Sequence, residues 1–259
     1  ETLLFDSDNA GAIDSWTVNA KENPLVCALP GKEKIQRSQQ RLLSVALAKV
    51  LAQARRDNNA PVTIVVNQAS AIDDHTDKQL VIHTNLGQNA VESVANSIFE
   101  NITSYQSKGG VLLFLYSVIA TRGIQNIQAD MDDSTQTLTL AHGHCSQELM
   151  NLLICGYSTS QVHDGNIPMG DTGLTLNGVN GTPRIGYLTF LEALRYCTVG
   201  EYYKTPDVPV WVIGSDSHFT VLFATNSAVG MDSPEEKNSK ILRRVFNKFD
   251  ASGGGFVQR

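Results

Sequence analysis

"VPVWVIGSDSHFTVLFA", residues 208–224, decides how this chain is read. Two runs rich in Val, Ile, Phe and Trp flank a short polar stretch at Gly214–Ser217, the pattern of two strands joined by a turn. It predicts an antiparallel hairpin. Alternation puts His218, Thr220 and Leu222 on one face of the second strand and Phe219, Val221 and Phe223 on the other. His218 stands where the turn meets the sheet. An imidazole there can be held in one orientation while its ring faces a cleft, which suits a general base whose partner lies on another element. A histidine that merely caps the turn fits the same pattern.

Downstream, Ser233, Pro234 and Glu236 supply an N-cap, a first-position proline and a capping-box acid. They predict a helix whose apolar face is Leu242, Val245, Phe246 and Phe249. The "DASGGGFVQR" that follows, 250–259, is similar to the start of an EF-hand loop, with Asp250 and Ser252 at ligand positions one and three and Gly255 at the sharp turn. Gly254 leaves position five without a side-chain ligand. The expectation is an EF-hand-like fold kept for packing or partner binding, not a calcium site.

Upstream, "YLTFLEALRYC" (187–197) predicts a short helix, and the Gly-rich 156–183 a long loop. "CSQELMNLLICG" (145–156) predicts a helix ended by Gly156, and "QTLTLAHG" (136–143) alternates like a strand. "GGVLLFLYSVIATRG" (109–123) is apolar all round and predicts a helix buried on every side. A helical face at Val91, Val94, Ile98 and Ile102, a strand in "PVTIVVNQ" (61–68), and a helix over 36–56 facing inward with Leu43, Leu47, Val50, Leu51 and Ala54 complete the reading. Helices mixed with a small sheet give an α+β class.

The 259 residues allow one large domain or two smaller ones. A net charge of −6 with dispersed Lys and Arg speaks against a nucleic-acid partner. No apolar run approaches the roughly 20 residues of a membrane helix, and no signal peptide is visible, so no membrane partner is expected. Cys27, Cys145, Cys155 and Cys197 form no CxxC pair and read as free thiols in a reducing compartment. Cys145, beside His142 and His144 at a predicted helix start, is the best local candidate for a thiolate. The "HxHC" it belongs to has no companion ligands at zinc spacing, so no metal and no cofactor are assigned. Cys27 is followed by Pro30, which forbids a normal helix opening there. Cys155 and Cys197 read as packing, and "VHDG" (162–165) as a structural turn with Gly165 left-handed.

Several segments together resemble the MINDY family of ubiquitin-specific cysteine proteases, in the branch with an EF-hand-like insertion. They are "LLF" (3–5), "GGVLLFLYSVIATRGIQNI" (109–127), "HGHCSQELMNLLICGYSTSQVHDG" (142–165), "GYLTFLEALRYCTVGEYYKTPDVPVWVIGSDSHFTVLFA" (186–224) and "RRVFNKFD" (243–250). The resemblance implies a papain-like core over 1–232, followed by the start of the insertion over 233–259. It implies hydrolysis of isopeptide bonds in polyubiquitin, preferring proteasome-targeting chains, in a nuclear or cytoplasmic protein whose partners are ubiquitin and polyubiquitin. His218 falls where the family keeps its catalytic histidine. The family's nucleophile opens a helix ending in an "LLF"-like sequence, so the resemblance places that cysteine before Glu1 and leaves this chain alone inactive. A non-catalytic ubiquitin-binding or scaffold module is the alternative. An enzyme that recruits Cys145 instead is a further one.

Overall fold

The structure is a computed structural model that describes residues 31–67, 80–85, 90–170, 173–215, 218–226, 228–230, 233–250 and 256. The first part is built on helix α1 (Gly31–Gln53) and an antiparallel pair, β1 (Val62–Asn67) and β2 (Leu80–Asn85), registered from Val62 opposite Asn85 to Asn67 opposite Leu80. β2, "LVIHTN", was not expected: it follows a polar stretch and pairs across the twelve residues 68–79. Helices α2 (Ala90–Glu100), α3 (Ile102–Gln106), α4 (Gly110–Arg122) and α5 (Ile124–Asp130) follow.

Leu51, Val62, Ile64, Val94, Ile98 and Val118 close the first core, all fully buried. Burial of each such side chain stabilises by about 1.5–3 kcal/mol. The inward stripe of α1 is Ser44, Ala48 and Leu51, continued by Ala54 just past its end, and Leu43 points outward at 38% exposure. The small residues let α1 and α2 approach closely, which the larger Leu43 would prevent.

β1 has β2 on one side and α4 on the other. The helix meets the strand edge with two hydroxyls. Ser117 Oγ accepts from the Val65 amide at 2.8 Å, and Thr121 Oγ1 accepts from the Thr63 amide at 3.0 Å and donates to the Thr63 carbonyl at 3.1 Å. Tyr105 donates its hydroxyl to the Val65 carbonyl at 3.0 Å. These bonds pair backbone groups that an edge strand otherwise leaves open. Because only this side of α4 packs, Val111, Leu112 and Tyr116 are exposed on the other. The expectation of a helix buried on every side is corrected.

α4 ends at Gly123, whose φ of 83° turns the chain into α5 with a bend of 82°. No single helix among the described residues is long and apolar enough to cross a membrane.

The second part corrects three expectations. "QTLTLAHG" forms no strand: Thr139 makes one isolated bridge with Cys145, across a 3-10 turn at Ala141–Gly143. An alternating segment with no partner strand has nothing to bond its backbone to. The loop after α6 (Gln147–Cys155) contains a small hairpin, β3 (Asn166–Pro168) with β4 (Thr175–Asn177). "YLTFLEALRYC" opens as strand β5 (Gly186–Thr189), and only Phe190–Ala193, α7, is helical.

After the one-turn helix α8 (Glu201–Lys204), β6 (Val210–Gly214) runs parallel to β5, and β7 (Phe219–Phe223) returns antiparallel to β6. The hairpin expected from 208–224 is present. The parallel pair needs a crossover, which α7 and α8 supply. Val179, Val199, Tyr203, Tyr187 and Ile154 fill the second core. The last helix, α9 (Pro234–Phe249), carries the expected capping box between Ser233 and Glu236. Leu242, Val245, Phe246 and Phe249 are all exposed. The chain is α+β.

Candidate functional site

His218 sits at the head of the β6–β7 hairpin, one residue before β7 and opposite the Gly214–Phe219 pair. Its carbonyl accepts two hydrogen bonds from one residue, Ser215: the amide at 2.9 Å and the hydroxyl at 3.0 Å. The backbone is thereby clamped while the side chain stays exposed. Among the described residues no hydrogen bond or ion pair reaches its imidazole. Gly214 leaves room beneath this turn: a Cβ there would stand 2.6 Å from the Tyr187 hydroxyl. β7 is exposed along its whole length.

The described cysteines lie elsewhere, and none is an activated thiol. Cys145 precedes the N-cap Ser146 of α6, so it lies outside the helix terminus that would favour a thiolate. Burial, and then the Glu148 carboxylate, push its thiol up to about 11. Cys155 is buried and donates to the Tyr203 hydroxyl at 3.2 Å, and burial raises it to about 12. Cys197 is raised as well, by burial and then Glu192. At neutral pH all three are protonated packing groups. Cys27, Ser252, Gly254 and Gly255 lie outside the described residues. Asp250 ends α9 as its C-cap. Among the described residues no group of His, Cys, Asp and Glu could hold a metal ion.

The turn "VHDG" is structural, as read. Gly165 has φ of 69°, and Asp164 Oδ1 accepts from the Tyr202 amide at 2.9 Å, tying the loop to α8. Cys155, read as packing, bonds Tyr203 and not the neighbouring His163 of this turn. Sequence reasoning missed Asn151, a fully buried amide within the apolar run Leu149–Ile154 of the helix. Its Nδ2 donates to the carbonyls of Thr159 and Gln161 at 2.8 and 3.0 Å, and its Oδ1 accepts from Tyr203 at 2.6 Å. A lone Asn in "LMNLLI" was the available signal.

The family described as deubiquitinating enzyme MINDY-3/4, conserved domain, matches residues 14–242. The chain belongs to the MINDY-3/4 family. It is 40% identical over 170 residues to the ubiquitin carboxyl-terminal hydrolase MINDY-3 of Bos taurus and 39% identical over 170 to that of Homo sapiens. Each match covers 65% of this chain and 37% of the relative, so the chain spans little more than a third of these MINDY-3 proteins. The probable ubiquitin carboxyl-terminal hydrolase MINDY-4 of Xenopus tropicalis is 39% identical over 131 residues, 49% of this chain and 18% of that protein. No solved structure matches the chain. The MINDY-3/4 match takes in the whole β5–β6–β7 sheet, His218 and most of α9.

Proposed function

We propose that the full-length protein is a thiol-dependent ubiquitin isopeptide hydrolase, acting on proteasome-targeting polyubiquitin, with His218 as its general base. The reading rests on one observation above the rest. Within a MINDY-3/4 match, His218 presents an exposed, backbone-clamped imidazole at a sheet edge, while Cys145, Cys155 and Cys197 are all held protonated. A base is available, and no described thiol is prepared to use it. The MINDY resemblance, which sets the nucleophilic cysteine ahead of an LLF-like helix end, assigns it to a part of the full-length protein outside these 259 residues. On the same reading the second part serves as the histidine-bearing half of a papain-like core, and α9 begins an EF-hand-like insertion kept for packing or partner binding. We propose a nuclear or cytoplasmic protein, a location that suits action on ubiquitin chains.

In the chemistry this implies, the His218 imidazole takes the thiol proton as sulfur attacks the isopeptide carbonyl. The imidazolium then gives that proton to the departing lysine amine. Water, deprotonated by the same imidazole, hydrolyses the thioester.

The test compares the 259-residue chain, the full-length protein and full-length His218→Ala on tetraubiquitin of defined linkages. The chain alone is expected to cleave nothing, and the full-length protein to cleave. His218→Ala should keep ubiquitin binding and lose about 10²–10⁴-fold in turnover, the range for a positioned general base. Cleavage by the short chain would overturn the missing-thiol assignment. Full activity of His218→Ala would remove His218 from the mechanism. Binding without cleavage by the full-length protein would favour the non-catalytic ubiquitin-binding module.

A further inference from the structure

The seven residues Phe190–Tyr196 hold four large apolar side chains in the open. Phe190, Leu191, Leu194 and Tyr196 are between 43% and 78% exposed. Single exposed apolar residues are ordinary, but four gathered on one turn form a patch of the kind that marks an interaction site. Arg195, exposed among them, adds a residue type that, like tyrosine, is enriched where binding energy concentrates.

The turn is fixed in shape by its own backbone. The Leu194 amide donates to the Phe190 carbonyl at 3.2 Å, that of Arg195 to Glu192 at 2.9 Å and that of Tyr196 to Leu191 at 3.0 Å. Arg195 has φ of 63°, a left-handed conformation that is unfavourable for any residue with a side chain, and it ends α7. The Glu192 carboxylate fastens the turn to α8, its Oε1 accepting from the Val199 amide at 2.9 Å and from Lys204 Nζ at 2.8 Å. A surface already ordered loses little freedom when it binds.

Strand register sets this turn beside His218. Thr189, the last residue of β5, lies opposite Gly214 of β6, and Gly214 lies opposite Phe219 of β7. Phe190 follows Thr189 and His218 precedes Phe219, so both leave the same end of the sheet, from strands separated only by β6. Two strand spacings come to about 10 Å. An interface with about 800 Å² on each partner is on the order of 30 Å across, so one bound protein can cover the turn and His218 together. We propose that the Phe190–Tyr196 turn is the docking surface for the ubiquitin whose bond is cut. An apolar area of ubiquitin rests on Phe190, Leu191, Leu194 and Tyr196 while its carboxyl-terminal tail runs to His218. The inference rests on the hydrolase reading and deepens it: a partner whose terminal bond reaches His218 must seat its body beside that residue, and the register puts this apolar surface there.

The experiment uses the full-length protein, with labelled ubiquitin binding read by fluorescence polarisation and tetraubiquitin cleavage by kcat and KM. Leu194→Asp with Tyr196→Asp should weaken ubiquitin binding at least about 10-fold, the scale for losing interface anchors. KM should rise by a similar factor while kcat at saturation changes little, because only binding common to substrate and transition state is lost. Leu194→Met with Tyr196→Phe should bind as the wild type does. Val111→Asp with Leu112→Asp, which puts the same charges on the exposed side of α4, should change neither binding nor KM. Unchanged binding and KM for Leu194→Asp with Tyr196→Asp, in a protein that cleaves, would overturn the docking surface and leave the hydrolase reading standing. Binding that this variant abolishes, in a protein that cleaves nothing, would overturn the hydrolase reading and support the docking surface. No ubiquitin binding by the wild type would overturn both. A melting temperature lowered by more than about 5 °C in the Asp variant would show the patch covered by the protein's own chain, and would overturn the proposal.

Discussion

Arg122 and Asp130 close the bend between α4 and α5 with a two-point ion pair, Nε to Oδ2 at 3.0 Å and Nη2 to Oδ1 at 2.7 Å. Gly123 makes the turn possible, and the ion pair holds its two arms together. Asp130 also accepts from the Ser158 amide at 3.0 Å, and the Ser158 hydroxyl donates to the Ile127 carbonyl at 3.0 Å. One carboxylate thus joins the last turn of α5 to the segment leaving α6, and so fastens the first core to the second. The side chains are only 12% and 16% exposed, which removes most of the solvent screening that makes surface pairs weak.

Asp130→Asn should therefore destabilise the chain by about 3–5 kcal/mol, the cost of leaving a largely buried charge without its partner. Urea denaturation measures it. Replacing both residues, Arg122→Met with Asp130→Leu, should cost less than Asp130→Asn alone. A loss below about 0.5 kcal/mol for Asp130→Asn would class the pair with ordinary surface bridges.

The second prediction concerns the strand edge. Ser117→Ala strips the Val65 amide of its acceptor in a buried place, and a buried donor left unpaired costs about 1–3 kcal/mol. Thr121→Val removes both bonds to Thr63 while keeping the shape, so its cost should fall in the same range or above. Amide hydrogen exchange gives the sharper readout. The Val65 amide should lose protection in Ser117→Ala, while that of Val66 should change no more than global stability requires.

What could be read from the sequence was what adjacent residues decide. The β6–β7 hairpin and the Ser233–Glu236 capping box are local, and both are present. β5 is decided by a partner further along the chain: "YLTF" runs straight into a helical turn, and only β6 makes it a strand. "QTLTL" shows the reverse case, alternation without a partner and hence one bridge instead of a strand. Leu43 and Ser44 exchanged roles because periodicity locates a helical face only to within a residue, and the approach of α2 selects the small one. At the candidate site, His218 and its place at the head of the strand were legible. The clamp from Ser215 and the raised thiols were not, because they depend on hydrogen bonds and burial that no local pattern records.

Gly156→Ala should be among the most damaging single-methyl changes. The residue ends α6 with φ of 85°, and an added Cβ would run into the Gln53 carbonyl of α1, backbone that cannot swing aside. Gln53 holds α1 here by donating its side-chain amide to the Ile154 carbonyl. The left-handed conformation alone costs an alanine about 1–2 kcal/mol, and the collision adds to it. A total loss of more than about 2 kcal/mol is expected in thermal or urea unfolding. Gly143→Ala serves as the control. It has φ of 78° with open space around the added Cβ, so it should show the backbone cost alone.

The last prediction follows from the thiols. Cys145 is raised from 9.0 to about 11 and Cys155 to about 12, and Cys197 moves the same way. The folded chain therefore keeps protons that the unfolded chain releases above about pH 9. Stability falls with pH wherever the folded state binds more protons, so this contribution is complete below pH 9 and drains away as pH rises through 11 and 12. Tyr157, raised to about 12, and Tyr203, raised well above its ordinary value by burial, act in the same direction once pH exceeds about 10, which makes about pH 8.5–10 the window for the thiols. Urea unfolding across that window should show declining stability, and Cys145→Ala with Cys155→Ala should flatten the slope even though the variant is less stable at every pH. Iodoacetamide should react slowly at pH 7 and speed up only above pH 9. Rapid labelling of Cys145 at pH 7, with a thiol pKa below about 6, would mark an activated thiolate instead. That result would move Cys145 from packing to candidate nucleophile and remove the need for a thiol from elsewhere in the protein.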